Sequence, residues 1–233
     1  MAALVGATLL GAPACVVSPQ PLPPIVPTID VAKLSLTSIS PTVVLHGAPG
    51  AVTADATFSA LGITSSKTDS VVVSPDGSFD LTLTDDAAQL YRVEASLDGE
   101  HSVPIDLEAP GTAVDGLSIA PASPAYAECL TIDPATVTDR GAVKAGQSQA
   151  FAIQLQNGCA EDLTVDDVHL VTAASAFTLS TSAPLSVPAG AVRAVSLAFT
   201  PSGEGDFEDV LVLHVAGSAP GFIVVTLRGQ GTP

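Results

Sequence analysis

The sequence predicts an all-β protein, folded as two β-sandwich domains in tandem, on the basis of three observations. Apolar residues make up 47% of the 233 residues and are chiefly Val, Ala and Leu, mixed with many Ser and Thr. Short runs alternate between apolar and polar residues, and no helical period continues over three turns. The chain also holds 19 Gly and 19 Pro, which favour turns between short strands. A chain of this length can build two cores of ordinary size.

The amino-terminal segment is typical of an exported protein. Residues 2–12 form an apolar run too short to span a bilayer, and small residues follow it before Cys15. We therefore expect a signal peptide over residues 1–14. Residues 9–15, Leu-Leu-Gly-Ala-Pro-Ala-Cys, resemble the lipobox of bacterial lipoproteins. This resemblance implies that Cys15 is lipidated. Ordinary signal cleavage stays open, because Ala-Pro-Ala also satisfies the small-x-small rule. The protein would then be secreted or periplasmic.

A proline-rich segment, residues 15–30, follows the expected cleavage point. Five prolines favour an extended polyproline conformation of about 3 Å per residue, which would act as a stiff tether. A tether of this kind is typical of a domain held away from a membrane. We therefore expect an exported lipoprotein of the cell envelope, at the outer membrane or the cell surface. The prolines are Pro19, Pro21, Pro23, Pro24 and Pro27.

The first predicted domain covers residues 31–109. Within it, Phe79, Leu81 and Leu83 share one face of a segment whose other face is polar, as expected for a half-buried strand. Asp-Gly pairs mark the turns between such segments. The pattern predicts strands at residues 42–46, 54–60, 70–73, 78–84, 91–97 and 102–107.

Three segments of the first domain resemble bacterial Ig-like repeats. Those repeats carry a Gly-rich turn with Ala-Val, a central Asp-Gly-Ser-Phe hairpin and a late strand rich in Leu, Val and Ala. The corresponding residues here are 44–52, 76–79 and 90–95. The resemblance implies an Ig-like β-sandwich for this half of the chain.

Residues 110–127 are predicted to be a linker, because Pro and Gly alternate there with small residues. The second domain then covers residues 128–233. Phe151, Ile153 and Leu155 share one face of its clearest alternating run. Further strands are predicted at 194–199, 207–215 and 223–227, and strands at this spacing favour a sandwich.

The second domain resembles the Ig-like domains of the ASPM, SPD-2 and Hydin family over essentially its whole length. The resemblance implies an Ig-like sandwich with a structural or interaction role, and it implies no enzyme activity and no shared ligand. The motifs that carry it are, in order, residues 132–137 (IDPATV), 146–148 (GQS), 155–157 (LQN), 163–165 (LTV), 188–190 (PAG), 199–201 (FTP), 205–207 (GDF) and 227–231 (LRGQG).

Two cysteines, Cys129 and Cys159, remain if Cys15 is lipidated. An exported protein meets an oxidising compartment, so a Cys129–Cys159 disulfide is the simplest pairing. A zinc site is not predicted, because the four histidines are isolated and no Cys-x-x-Cys or His-x-x-x-His arrangement occurs.

Four acidic residues in the second domain could gather around calcium, which binds several converging oxygen atoms. Glu204, Asp206, Glu208 and Asp209 surround one predicted hairpin. The alternative is that these acids are simply hydrated in a turn. His214 also has two interpretations, since Val210 and Val212 share its face: an interdomain contact, or an ordinary surface histidine.

The charge balance limits the partners. Seven Lys and Arg stand against 24 Asp and Glu, for a net charge of -17. The cations are scattered singly, so nucleic-acid binding is excluded, and the acidity favours a soluble monomer. No catalytic motif or phosphate-binding loop occurs, and we expect neither an enzyme nor a cofactor.

Together these features predict a non-enzymatic cell-envelope lipoprotein that acts as a structural or adhesive interaction module. It would contact the membrane through its lipid anchor and bind a protein or polysaccharide at the cell surface. The alternative is a surface protein that binds calcium or carbohydrate. Carbohydrate recognition has few aromatic residues available, two Tyr and seven Phe. A hydrolase is the remote alternative.

Overall fold

A computed structural model describes residues 24–39, 42–84, 90–108, 117–118, 120–121, 129–172, 175–216 and 221–233. The predicted signal peptide and the lipidation at Cys15 lie outside these residues. The described part of the chain is built from β-strands and one short 3-10 helix, Val31–Lys33, so the predicted all-β class is confirmed. Within the same ranges, no helix has the length and hydropathy needed to cross a bilayer.

The first domain is a sandwich of two sheets. One has the strand order β5-β2-β1-β9, and the other has the order β10-β8-β6-β3-β4, with β7 paired to β6. Its strands are β1 Leu34–Ile39, β2 Thr42–Gly47, β3 Thr57–Gly62, β4 Lys67–Val72, β5 Phe79–Leu83, β6 Leu90–Leu97, β7 Glu100–His101, β8 Ile105–Glu108, β9 Leu117–Ser118 and β10 Ala120–Pro121.

The core of the first domain lies between these sheets. Phe79, Leu81 and Leu83 are buried, as the alternation predicts, and the polar residues between them are not. The Phe79 ring lies 4.3 Å from that of Phe58 on the opposite sheet. On β6, Val93 shares this inward face, which leaves the residues on either side of it pointing outward.

The structure moves two predicted boundaries of the first domain. Residues 27–30 of the predicted tether already pack on it, since Pro27 is buried and Ile29 forms a β-bridge with Val52. In the predicted linker, β9 pairs with β1 and β10 pairs with β8. Proline content predicted both segments to be free of sheet. The first bridge is made by Ile29 and not by a proline. Pro121 lies in the edge strand β10, where its missing amide is not needed.

The second domain is also a sandwich. Its sheets have the orders β11-β13-β17-β15 and β12-β19-β18-β14-β16, with β12 parallel to β19. Its strands are β11 Leu130–Asp133, β12 Val137–Lys144, β13 Gln149–Asn157, β14 Leu163–Leu170, β15 Phe177–Leu179, β16 Leu185–Val187, β17 Val192–Phe199, β18 Gly205–Val215 and β19 Phe222–Thr232. Ile153 and Leu155 are buried, and Phe151 packs against the same core.

The first motif of the second domain, residues 132–137, crosses between sheets. β11 pairs with β13 in one sheet, whereas β12 begins at Val137 in the other. Pro134 lies between them and has no amide hydrogen to donate to a ladder. The chain therefore leaves the first sheet here and joins the second.

The predicted disulfide between Cys129 and Cys159 is present, with a Cα–Cα distance of 4.9 Å. It links the residue before β11 to the loop after β13. The buried Asn157 side chain holds that loop, because its Nδ2 donates to the carbonyl oxygens of Glu161 and Val187, both at 2.8 Å. Its Oδ1 accepts from the Cys159 amide at 2.9 Å. The cross-link and this amide fix the same end of the sandwich.

We expect the double substitution Cys129→Ser with Cys159→Ser to lower the free energy of unfolding of the second domain by about 3 to 4 kcal/mol, because a loop of about 30 residues is released in the unfolded chain. Urea denaturation followed by far-UV circular dichroism measures this change. A loss below about 1 kcal/mol would contradict the chain-entropy explanation.

Candidate functional site between the two domains

The outer faces of two sheets, one from each domain, pack against each other. Leu61, Ile63 and Leu90 of the first domain form one buried apolar cluster with Val212 and Val224 of the second. On β6, β18 and β19 these residues alternate with the residues that fill each domain's own core. The three strands are therefore buried on both faces where the domains meet.

The outer face of β18 thus makes the interdomain contact that was one interpretation for His214. Val210 and Val212 pack into the interface. His214 itself lies farther along β18, where its Nδ1 is 2.5 Å from Asp166 Oδ1 and its ring is 4.9 Å from that of Phe222. Its hydrogen-bond partner belongs to its own domain.

The most buried charge at the interface is Arg92, on the outer face of β6 and 4% exposed. β6 and β8 are paired so that Arg92 lies opposite Asp106. The guanidinium donates to this carboxylate from Nε at 2.8 Å and from Nη2 at 2.9 Å. Such a two-pronged pair is the strong form of the arginine–carboxylate interaction.

Arg92 also reaches the second domain. Its Nη2 donates to the carbonyl oxygen of Val224 at 2.6 Å, and its Nη1 donates to Thr226 Oγ1 at 3.1 Å. A longer bond of 3.4 Å joins Nη1 to the carbonyl oxygen of Thr136. The side chain therefore satisfies buried polar groups of both domains at once.

Two residues farther along β6, Glu94 enters a second charged group. Glu94 is 8% exposed, and its Oε1 lies 2.5 Å from His101 Nδ1 on β7. The same oxygen accepts from Arg228 Nη2 on β19. Arg228 Nε also donates to Glu208 Oε2 on β18, at 2.8 Å. We call Glu94, His101, Glu208 and Arg228 the interdomain charge cluster.

The Glu94 carboxylate has a raised pKa. Burial is the main cause, because it removes water from the charged form, and the negative charge of Glu208 adds to it. Arg228 and His101 act in the opposite direction without cancelling these effects. The cluster thus holds a carboxylate whose ionisation the fold disfavours.

The charge cluster borders a cavity of about 480 Å³ between the domains. His101, Glu208 and Arg228 belong to its lining, together with three further acidic residues, Glu100, Asp139 and Asp206. The lining therefore carries four carboxylates against one guanidinium. Such a surface attracts cations and repels anions.

Three residues of the cluster carry side chains that can serve as metal ligands. One oxygen from Glu94, one nitrogen from His101 and one oxygen from Glu208 all lie within 4.8 Å of one another. Imidazole and carboxylate together are typical ligands of zinc. Sequence spacing gives no indication of this site, because the three residues come from three strands of two domains.

The structure does not bring together the four acids considered for calcium. Asp209 points into the core of the second domain, where Oδ1 accepts from the Thr172 and Val210 amides at 3.1 and 2.7 Å. Glu208 is on the opposite face of β18 and pairs with Arg228. Asp206 lies 3.3 Å from Gln230 Nε2, and Glu204 is exposed. Alternation along β18 places Asp209 on the face opposite to Asp206 and Glu208, which both line the cavity.

No protein-family model matches the chain, and no curated protein matches it. Several solved structures are similar. The ASH / PapD-like domain 7 of human CEP192 has 17% identity and a TM-score of 0.38, over 53% of this chain and 98% of that one. A protein of unknown function from Porphyromonas gingivalis W83 has 10% identity and a TM-score of 0.36, over 88% of this chain and 99% of that one.

A third similar structure is SSP-19, an MSP-domain protein like family member of Caenorhabditis elegans. It has 17% identity and a TM-score of 0.33, over 43% of this chain and 98% of its own. These likenesses are weak, and neither an activity nor a partner is transferred from them to this chain.

We expect Arg92→Met to lower the free energy of unfolding by about 2 to 4 kcal/mol, since Asp106 and the backbone oxygens at the interface lose a charged donor. Urea denaturation measures the loss. Arg193→Met is the matched control, because Arg193 is exposed and donates to the carbonyl of the adjacent Val192. Equal stability of the two variants would contradict a central role for Arg92.

We expect the free energy of unfolding of Glu94→Gln, minus that of the natural protein, to increase with pH. A raised pKa in the folded state means that the fold favours protonated Glu94. In the natural protein, protonated Glu94 therefore contributes its full stabilisation below the usual glutamate pKa of 4.5. This stabilisation is lost as pH rises through the raised pKa. Glutamine stays neutral throughout.

Thermal or urea unfolding of both proteins between about pH 4 and pH 7 checks this sign. Glu161→Gln, which changes an exposed glutamate of the second domain, controls for the change in net charge. A stability difference that shrinks with rising pH would show that the attraction of Arg228 and His101 outweighs burial.

Proposed function

We propose that this protein is a non-enzymatic lipoprotein of the cell envelope, whose two Ig-like sandwiches act together as a structural or adhesive interaction module. The observation that carries the proposal is the buried contact between the two outer sheet faces. In it, Arg92 joins β6 to β19 through the Val224 carbonyl and the Thr226 hydroxyl. The apolar cluster around Ile63 belongs to the same contact and includes Leu90 on β6 and Val224 on β19.

A fixed domain arrangement is the physical basis of such a module. Domains of one chain generally move relative to each other unless their interface is large and apolar. In this protein the interface combines an apolar patch with a guanidinium whose hydrogen bonds have fixed directions. Any surface that spans both domains is therefore preorganised, and a partner that binds it loses less conformational entropy.

The chain's charge favours a basic or neutral partner at the cell surface, a protein or a polysaccharide. The net charge of -17 repels polyanions, including nucleic acid. Two of the four arginines, Arg92 and Arg228, are engaged in ion pairs at the interface. The remaining cations are single and dispersed, so a negatively charged partner finds no basic patch on the described surface.

Carbohydrate binding is not advanced as a second function, because the described aromatic residues are not available as sugar platforms. All seven phenylalanines lie in the two cores or at the interface, and Tyr91 is buried. Tyr126 lies outside the described residues. Calcium binding is not advanced either, since Asp209 faces the core and Glu208 faces the opposite side of the strand.

The anchor part of the proposal rests on the lipobox-like segment before Cys15. Pro27 and Ile29 already contact the first domain, so about 11 residues separate Cys15 from the folded module. If the spacer is extended, as its prolines favour, it would span roughly 30 Å at about 3 Å per residue. The module would be held clear of the lipid headgroups.

We expect Cys15→Ser to abolish incorporation of a labelled fatty acid when the chain is expressed in a bacterium that processes lipoproteins. Ser18→Ala is the matched control and should keep the label. Incorporation that persists in Cys15→Ser would contradict the anchor.

Proximity labelling from the intact cell surface tests the interaction module, by comparing the proteins labelled by the natural chain with those labelled by Arg92→Met. If the module acts as one body, Arg92→Met should stay lipidated and lose the labelled partners.

A further inference from the structure

We infer that Glu94, His101 and Glu208 form a zinc-binding site that bridges the two domains. The donor set is one imidazole nitrogen and two carboxylate oxygens, a combination that binds Zn²⁺ in four-coordinate geometry with water as the last ligand. The three donor atoms already lie within 4.8 Å of one another. The site exists only where the domains meet, because Glu208 comes from the second domain and the others come from the first.

Two of the donor atoms are closer together than a metal requires, and Glu208 must approach them by up to about 1.5 Å. Zinc lies about 2.0 to 2.2 Å from such ligands, which places tetrahedral donors about 3.3 Å apart. His101 Nδ1 and Glu94 Oε1 are now 2.5 Å apart, so a metal would separate them by less than about 1 Å. Glu94 is held by burial, whereas the exposed Glu208 side chain can adjust to the metal.

The guanidinium of Arg228 now lies where the zinc ion would bind. Its guanidinium donates to both Glu94 and Glu208, and it would have to leave when zinc binds. Arg228 also lines the cavity of about 480 Å³, which has room for the displaced guanidinium. Asp139 and Asp206 belong to the same lining, so the displaced guanidinium would keep acidic neighbours.

The balance of charge also favours a divalent ion. Two carboxylates share a single guanidinium in the cluster, so with both carboxylates ionised and His101 neutral one negative charge is uncompensated. Zn²⁺ neutralises both carboxylates, and the acidic cavity raises the local concentration of cations. The cavity also supplies the water that completes the coordination.

Among the described residues, the other histidines lack this convergence. His46, His169 and His214 each pair with one aspartate, at 2.5, 2.8 and 2.5 Å. Only the group around His101 brings a second carboxylate within ligand distance in the part of the chain that the structure describes. Those three exposed pairs therefore serve as internal controls.

Isothermal titration of the full-length metal-free chain with zinc chloride tests the site, in a Cys15→Ser background so that no free thiol competes. We expect one zinc ion per chain, and at least about tenfold weaker binding for His101→Ala and for Glu208→Gln. Arg228→Gln should bind more tightly, because the competing guanidinium is gone. His169→Ala should bind as the parent does.

Zinc binding that is unchanged in both His101→Ala and Glu208→Gln places the metal elsewhere. No binding by either the parent or Arg228→Gln shows that the cluster is an ion-pair network alone. Circular dichroism of each variant establishes that it is folded. Because Glu208 is exposed, Glu208→Gln is the variant least expected to disturb folding.

Discussion

The arrangement of the two domains depends on the guanidinium of Arg92. Burying a charge has a large desolvation cost. The cost is offset here because Asp106 accepts two hydrogen bonds from the guanidinium, and three oxygen atoms of the second domain accept further hydrogen bonds from it. The apolar cluster around Ile63 supplies attraction but little direction, since hydrophobic contact is non-directional. The planar, five-donor fork fixes the relative position of β6 and β19, which a lysine could not do in the same way.

Polarity changes along the interface, and this gradient links the fold to the proposed site. At one end Leu90 meets Val212 and Val224. Arg92 follows in the middle, and beyond it Glu94 meets Arg228 at the edge of the acidic cavity. Tight apolar packing thus positions a charged cluster that each domain holds only in part. A ligand bound at that edge, such as the zinc ion proposed above, would therefore be coupled to domain docking.

The sequence predicts the two sandwiches because alternation and turn residues are local properties. It also contains a signal for the interface. Residues 210–213 and 222–225 are apolar at successive positions, as in strands buried on both faces. The roles of Arg92 and Glu94 could not be predicted, since alternation places them on an outer face that normally meets water. Their burial comes from a second domain more than 100 residues away in the chain, and no local pattern encodes that contact.

The interface between the two outer sheet faces implies that the two sandwiches form one rigid body. Residual dipolar couplings of backbone amides, measured separately for the two domains in one weakly aligned sample, test this most directly. If Arg92 and the apolar cluster fix the domains, both sets of couplings fit one alignment tensor with the domain orientation described here. Two tensors of different magnitude or orientation would contradict the account, because they would mean that the domains reorient independently in solution.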